Sequence, residues 1–319
     1  MHFQLSEDQR ALRSGVRGLL EARFDRTALR AAVDGGADRL PDRKLWRELG
    51  AVGFFALRLP EARGGAGLGL PEAVLAFEEA GRALLPGPLV ATHLAAGSVA
   101  GAATGETVVA MADGALVAWL DAADEVVCGL PETVPVRSVD PLTPLHRVTE
   151  RQGHRDTVRE ERAGAVKGEA VGSPAPARRG VPPGTRLEAV LLTAAEQVGS
   201  AGRTTELAVR YAQQREQFGR PVGAFQAVKH LCAGMLVRAE VARTAVYAAA
   251  VTGDPVETAG AKLLADEAAV RNARDCLQVY GGMGFTWEAD VHLHLKRAWV
   301  RAELWQTAAE AEETLAAAL

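Results

Sequence analysis

The stretch Arg215-Glu216-Gln217-Phe218-Gly219-Arg220-Pro221-Val222-Gly223-Ala224-Phe225-Gln226 lies between two long apolar-periodic runs, 188–214 and 226–251. Its glycines and proline mark a turn between two helices. The residues packed around that turn are less ordinary. An arginine offers a planar fork for phosphate, an aromatic offers a flat face, and a glutamine offers an amide. A second glycine-marked stretch, Leu277-Gln278-Val279-Tyr280-Gly281-Gly282-Met283-Gly284-Phe285, follows the next helical run.

Working outward from the turn, Leu191, Val198, Thr205 and Ala212 recur every seven residues on its N-terminal side. On its C-terminal side Leu231, Met235, Ala239, Ala242, Val246 and Ala249 step by three or four, as one face of a helix does. Leu264, Ala268, Arg271 and Asp275 keep step through a third run, and 290–318 reads as a fourth. Four long helices with short links make a bundle over 185–319. Before them, 5–24 reads as a helix capped by Ser6 with Gln9 behind it, and Asp42–Val52 as a short second one. The glycine-rich run 59–71 reads as a loop, either a plain connector or a close approach to a ligand. Pro71 opens a helix that reaches Leu84, Pro86-Gly87-Pro88 breaks the chain, and 89–102 reads as a further helix. Residues 1–104 are thus expected to form a helical N-terminal domain.

Residues 105–184 change character. Short strands are expected at 107–111, 115–120 and 125–128, with one or two more over 134–148. From 150 to 184 the pattern decays into Arg, Glu, Gly and Pro, so a reduced β-rich middle domain with an irregular tail is expected. The fold class is mainly α.

The chain of 319 residues is 48% hydrophobic, enough for a large core, and Ala dominates the apolar set. A net charge of −4 excludes a generic nucleic-acid binder. Cys128, Cys232 and Cys276 are far apart, without metal-ligand spacing, and read as core thiols of a reduced, cytoplasmic protein. His292 and His294 lack a third ligand, so no metal site is expected. The N-terminal residues are polar and carry no signal-peptide pattern. No run approaches the roughly 18 apolar residues that span a bilayer, so no membrane partner is expected.

The turn at 215–226, the run 277–298 and the N-terminal loop Pro60-Glu61-Ala62-Arg63-Gly64-Gly65-Ala66-Gly67-Leu68, with Phe77-Glu78-Glu79-Ala80-Gly81-Arg82 after it, together resemble the acyl-CoA dehydrogenase family of flavoproteins. The likeness covers roughly 1–149 and 185–300. It implies a helical N-domain, a small β middle domain and a C-terminal four-helix bundle. It also implies FAD, an acyl-CoA thioester desaturated between its alpha and beta carbons, and an electron-transfer flavoprotein as acceptor. Carried over by motif, Arg215 meets the FAD pyrophosphate, Gln217 and Phe218 belong to the same cofactor-binding turn with Phe218 packing on the cofactor, and Gln278, Gly281 and Gly282 line its adenosine diphosphate end. In this family those residues serve a flavin held mainly by a neighbouring subunit. The plain alternative for Arg215 is a surface arginine paired with Glu216; Gln226 is a turn-stabilising amide.

The chain departs from the pattern at the catalytic base. Many relatives place a Glu in a turn after the glycine stretch; here the register runs Ala302-Glu303-Leu304-Trp305-Gln306-Thr307, with Trp305 at the base position. An indole nitrogen only donates, so Trp305 cannot take the proton. A second group of relatives places the Glu near position 189, which leaves Glu188 and Glu196 as candidates. Glu196 has the alternative of a helix carboxylate paired with Arg203 or solvent, and Glu288 and Asp290 are read as orienting the turn or pairing with Lys296 or Arg297. The flavin-holding segments of the middle domain are also missing between 103 and 185. The chain is therefore similar to the short subunits of actinobacterial heteromeric, steroid-type acyl-CoA dehydrogenases. The expected function is a subunit that completes the FAD site of a longer partner, likened to an α2β2 heterotetramer. Two alternatives stay open: a complete enzyme, paired with itself, that uses Glu188 or Glu196, and a flavin-free structural or binding subunit.

Overall fold

The computed structural model describes residues 4–36, 41–129, 132–149 and 182–319. The irregular tail read at 150–184 falls almost wholly outside them. The first helix, α1, spans Glu7–Arg23, and Ser6 and Gln9 close the expected capping box. A helix that the periodicity did not show, α2, spans Arg26–Gly35 behind an Asp25 cap, with only Leu29 and Val33 buried. Then come α3 (Arg43–Ala51) capped by Asp42, α4 (Leu70–Ala83) with Pro71 in its first turn, and α5 (Leu89–Ala95). The helix expected over 89–102 thus stops at Ala95, and turns carry the chain onward to residue 105.

Five short strands follow: β1 (Val109–Met111), β2 (Leu116–Ala118), β3 (Glu125–Val127), β4 (Thr133–Val136) and β5 (Leu145–Val148). β1 pairs with β3 in parallel, and β5 sits between β2 and β4 in an antiparallel sheet. The bundle comprises α6 (Pro183–Gln214), α7 (Gln226–Thr252), α8 (Pro255–Tyr280), α9 (Val291–Ala302) and α10 (Ala308–Ala316). The last run, expected as one helix over 290–318, is broken at 303–307. Trp305 adopts φ 65° there, and Thr307 with Glu310 starts α10 through a capping box.

One core joins the N-terminal helices to the bundle. It draws Trp46, Phe55 and Phe77 from the first block and Leu191, Val198, Val246, Ala265 and Leu293 from the second. Burying each such aliphatic chain contributes about 1.5–3 kcal/mol. α4 and α6 pack backbone against backbone. A Cβ on Gly81 would fall 2.0 Å from the Glu196 carbonyl oxygen, and one on Gly199 1.9 Å from that of Glu78. Only glycine lets the two backbones touch twice. That crossing sets the depth at which the side chains of Glu196 and its neighbours on α6 sit.

The three cysteines are free thiols; Cys276 is buried, and Cys128 and Cys232 are half-buried. Among the described residues no helix is long and apolar enough to cross a membrane.

Candidate functional site

At the end of α6 the chain leaves the helix at Arg215, whose amide still donates to the Tyr211 carbonyl at 2.8 Å. It then folds into a two-residue hairpin in which Glu216 pairs with Pro221 and Gln217 with Arg220. Phe218 (φ 55°) and Gly219 (φ 75°) occupy the tip. Two successive positive φ values match the twist that tight hairpins need. The Val222 amide closes the loop on the Arg215 carbonyl at 2.7 Å. The Arg220 guanidinium lies 4.3 Å over the Phe225 ring, and Phe218 meets that ring edge-on at 6.0 Å. Phe218 is nonetheless 91% exposed. The Arg215 side chain is exposed and has no ion pair among the described residues, so the pairing with Glu216 weighed from the sequence is not formed. The Gln217 amide donates to the Glu216 carbonyl at 2.9 Å, and that of Gln226 lies 2.7 Å from His230 Nε2.

The second glycine stretch meets this hairpin's base. Tyr211, one turn before Arg215, stacks on Tyr280 at 4.1 Å, and its hydroxyl donates to the Tyr280 carbonyl at 3.4 Å. Gln278 is exposed at the end of α8. Gly281 takes φ 60°, and a Cβ on Gly281 or Gly282 would meet nothing within 4 Å. The structure therefore brings Arg215, Gln217, Phe218, Gln278, Gly281 and Gly282 to one end of the bundle, on an open face. Exposed Met283, Phe285 and Trp287 continue it with apolar surface. An unpaired guanidinium beside open backbone and exposed aromatic side chains suits an anionic, ring-bearing group delivered from outside.

Trp305, read from the sequence as standing at the base position, lies elsewhere, in a cleft between α5, the strands, α6 and the break after α9. Trp305, Trp119, Glu196, Arg297 and Arg301 line it. Its open volume is about 70 Å³, room for on the order of five waters and well below the roughly 300 Å³ or more of ordinary ligand pockets. Trp305 is fixed there by its carbonyl, which accepts from Arg186 Nε at 2.9 Å. Arg186 is itself held by Asp113 at 3.0 Å and Glu310 at 3.2 Å. Glu303 is exposed outside the cleft.

Glu196 does reach the cleft, but the partner weighed from the sequence is wrong. It pairs with Arg301 Nη2 at 2.9 Å rather than with Arg203. Burial pushes the Glu196 carboxyl above its usual range, against the pull of Arg301 and Arg297, and burial lowers Arg301 to about 10. Arg297 is buried against Asp140, and Asp290 pairs with Arg26 at 2.6 Å, so the expected Asp290 contacts with Lys296 or Arg297 do not form. Glu188 lies one turn into α6, half-exposed, in an ion pair with Arg58 at 2.6 Å. The candidate bases are therefore split: Glu196 lines the cleft and Glu188 does not. His294 is buried with Nδ1 2.8 Å from Ser200 Oγ, and His292 stacks on Trp287. Among the described residues no group of three potential ligands gathers to hold a metal.

Three residues of this arrangement went unnoticed in the sequence. Arg301 is one helical turn before Trp305, and the spacing of His294, Arg297 and Arg301 puts them on one face of α9. Arg186 and Asp113 have no local signal; their pairing joins positions far apart in the chain.

The model of the acyl-CoA dehydrogenase N-terminal domain matches residues 6–107, and that of the C-terminal domain matches 188–313. The chain belongs to the acyl-CoA dehydrogenase family. It is 36% identical to the acyl-CoA dehydrogenase IpdE2 of Mycobacterium tuberculosis over 95% of both chains. It is 35% identical to FadE34 of the same organism, covering 92% of this chain and 45% of FadE34. Among solved structures, a glutaryl-coenzyme A dehydrogenase in complex with glutaryl-CoA superposes with a TM-score of 0.77 at 20% identity, covering 99% of this chain and 96% of that one. The Tcur3481-Tcur3483 steroid acyl-CoA dehydrogenase gives 0.74 at 24% identity, covering 98% and 97%. The mainly α fold expected from the residues is thus that of the family. As an acyl-CoA dehydrogenase the chain is an FAD-dependent oxidoreductase acting on CH–CH bonds.

Its residues fit that cofactor unevenly. The open end of the bundle offers Arg215, Gln278 and the bare glycines, a set suited to a pyrophosphate. The cleft beneath the strands, about 70 Å³ and occupied by Trp305, does not fit a tricyclic ring.

Proposed function

We propose that this acyl-CoA dehydrogenase is the half-site subunit of a hetero-oligomer, completing the FAD site of a longer partner and borrowing that partner's catalytic base. The observation that carries the reading is Trp305, held by Arg186 in a narrow cleft at the position that the family resemblance gives to the carboxylate base. Desaturation needs a carboxylate that takes the alpha proton while hydride leaves the beta carbon. Bound FAD supplies the hydride acceptor. This chain's share is binding: Arg215 forks onto phosphate oxygens, Gly281 and Gly282 admit the backbone close to them, and Phe218 covers a ring face. Gln217 and Gln278 supply the polar contacts around them.

The reading divides the chain at 104 and 184 into a helical block, a reduced β-rich block and the bundle. An α2β2 assembly, a steroid-type acyl-CoA thioester, an electron-transfer flavoprotein as acceptor and a cytoplasmic setting complete it. Support for the pairing comes from similar folds: the Tcur3481-Tcur3483 protein is a steroid enzyme, and ChsE4-ChsE5 of Mycobacterium tuberculosis is a complex, superposing at a TM-score of 0.74. One observation favours a second reading, in which Glu196 is the base of a complete enzyme: its carboxyl lines the cleft. Its ion pair with Arg301 weighs against it.

Glu196→Gln and Arg215→Ala, each made in the purified assembly, separate the two. The half-site reading expects Arg215→Ala to weaken flavin retention at least tenfold, and Glu196→Gln to leave turnover of the intact assembly within a few-fold. Loss of turnover by a thousandfold in Glu196→Gln, with flavin and assembly retained, establishes the second reading instead.

A further inference from the structure

The cleft beside Trp305 holds a donor that the fold leaves unmet. Arg301 is 4% exposed and lines the cleft. Its Nη2 donates to Glu196 Oε1 at 2.9 Å, but its Nη1 is buried and meets no acceptor among the described residues. Buried polar groups are ordinarily hydrogen-bonded, so a guanidinium nitrogen orphaned beside open space calls for an acceptor there. In the same ion pair Glu196 uses only Oε1, and no donor reaches its Oε2 among the described residues. Thr193, one turn before Glu196 on α6 and 2% exposed, adds a hydroxyl to the lining.

The remaining lining is either engaged or apolar. Arg297 gives Nε to Asp140, Nη1 to the Leu85 carbonyl at 3.3 Å and Nη2 to the Leu142 carbonyl at 3.4 Å. Thr143 donates to Asp140 at 2.6 Å, and Asp113 is held by Arg186. Leu89, Val90, Met111, Leu116, Trp119 and Leu304 supply carbon. Water alone suits this lining poorly. The space admits about five waters, each needing two to four polar partners, and three side-chain groups cannot satisfy them all. Charge sets a second condition. Arg301 is balanced by Glu196 and Arg297 by Asp140. An anion would therefore meet the free Glu196 oxygen without a spare positive charge, and a cation would meet Arg301.

We propose that the cleft binds a small neutral molecule with a polar head and a short carbon tail, an amide or an alcohol of about five heavy atoms. The head accepts from Arg301 Nη1 and donates to Glu196 Oε2, and the tail lies against the aromatic and aliphatic walls. This goes beyond the half-site reading and does not rest on it, because it follows from the lining of the cleft alone.

The test is saturation-transfer NMR on the purified assembly with propionamide, 1-propanol and propionate, which share a tail and differ in the head. Saturable transfer to propionamide or to propanol is expected, and the tighter of the two assigns an amide or an alcohol head. Propionate is expected to bind about tenfold more weakly or not at all. Arg301→Lys keeps a cation beside Glu196 but removes the free Nη1–H, and should weaken binding of the neutral molecule about tenfold. Ala118→Leu fills the cleft with carbon, leaves both polar groups in place and should abolish binding; an unfolding midpoint shows that each variant is folded. No saturable transfer to either neutral molecule, the result of a cleft that holds water only, overturns the proposal. So does propionate binding as tightly as propionamide, and so does unchanged binding in either folded variant.

Discussion

Trp305 allows the account of the cleft to be tested by paired substitution. Its ring packs against the main core and against the small cluster of Ala91 and Met111. It is only partly buried, so truncation should cost less than the about 3–5 kcal/mol of a fully buried Trp→Ala; we take about 2–3 kcal/mol. The backbone adds a second term of opposite sign. At φ 65° an L-residue pays about 1–2 kcal/mol that glycine avoids. Trp305→Ala removes the ring and keeps the strained backbone; Trp305→Gly removes both. Glycine adds back some unfolded-state entropy, about 0.5–1 kcal/mol against alanine. The net expectation is that both variants lose stability, with Trp305→Gly no worse than Trp305→Ala and up to about 1.5 kcal/mol better. Urea unfolding of the two beside wild type measures this directly. A Trp305→Gly variant more than 1 kcal/mol less stable than Trp305→Ala refutes the strain argument. A loss below 0.5 kcal/mol in both refutes the claim that the ring fills the cleft.

Other outcomes follow from the packing and titration. Gly199→Ala drives a methyl to 1.9 Å from the Glu78 carbonyl and should cost at least the about 1–3 kcal/mol of overpacking, whereas Gly18→Ala, with nothing within 4 Å, should gain about 0.5–1 kcal/mol; thermal unfolding distinguishes them. His294, neutral when folded down to about 3 against an ordinary value near 6.5, binds its proton more readily in the unfolded chain. Its stabilising contribution is present above pH 6.5 and lost as pH falls toward 3, at up to about 1.4 kcal/mol per pH unit. His294→Asn should therefore flatten the acid limb of the stability curve by that slope, and an unchanged limb contradicts the assignment. Glu188→Gln breaks only a half-exposed pair with Arg58 and should change stability by about 1 kcal/mol or less, with turnover of the assembly unchanged.

The parts legible in the sequence were those carried by local chemistry. Ser6 and Gln9 announce α1, the seven-residue spacing announces α6, and Arg215 with the bare glycines marks the open end of the bundle proposed as the cofactor edge. The helix α2 escaped because ten residues with two buried side chains give periodicity too little to work on. The break at 303–307 escaped although Thr307-Ala308-Ala309-Glu310 carries a capping-box signature, because the apolar pattern continues across it. Nothing near Glu196 in the chain names Arg301 as its partner, since 105 residues separate them. The same holds for the Arg186–Trp305 contact. The pairing of α4 with α6 through Gly81 and Gly199 was likewise hidden, because a glycine inside a helix reads first as a weakness.

The most direct measurement of the half-site claim is FAD titration of the purified chain alone, followed by visible absorbance after gel filtration. The account expects colourless protein, with flavin retained only when a longer acyl-CoA dehydrogenase subunit is present. Stoichiometric flavin on the lone chain, with turnover of an acyl-CoA thioester, contradicts it.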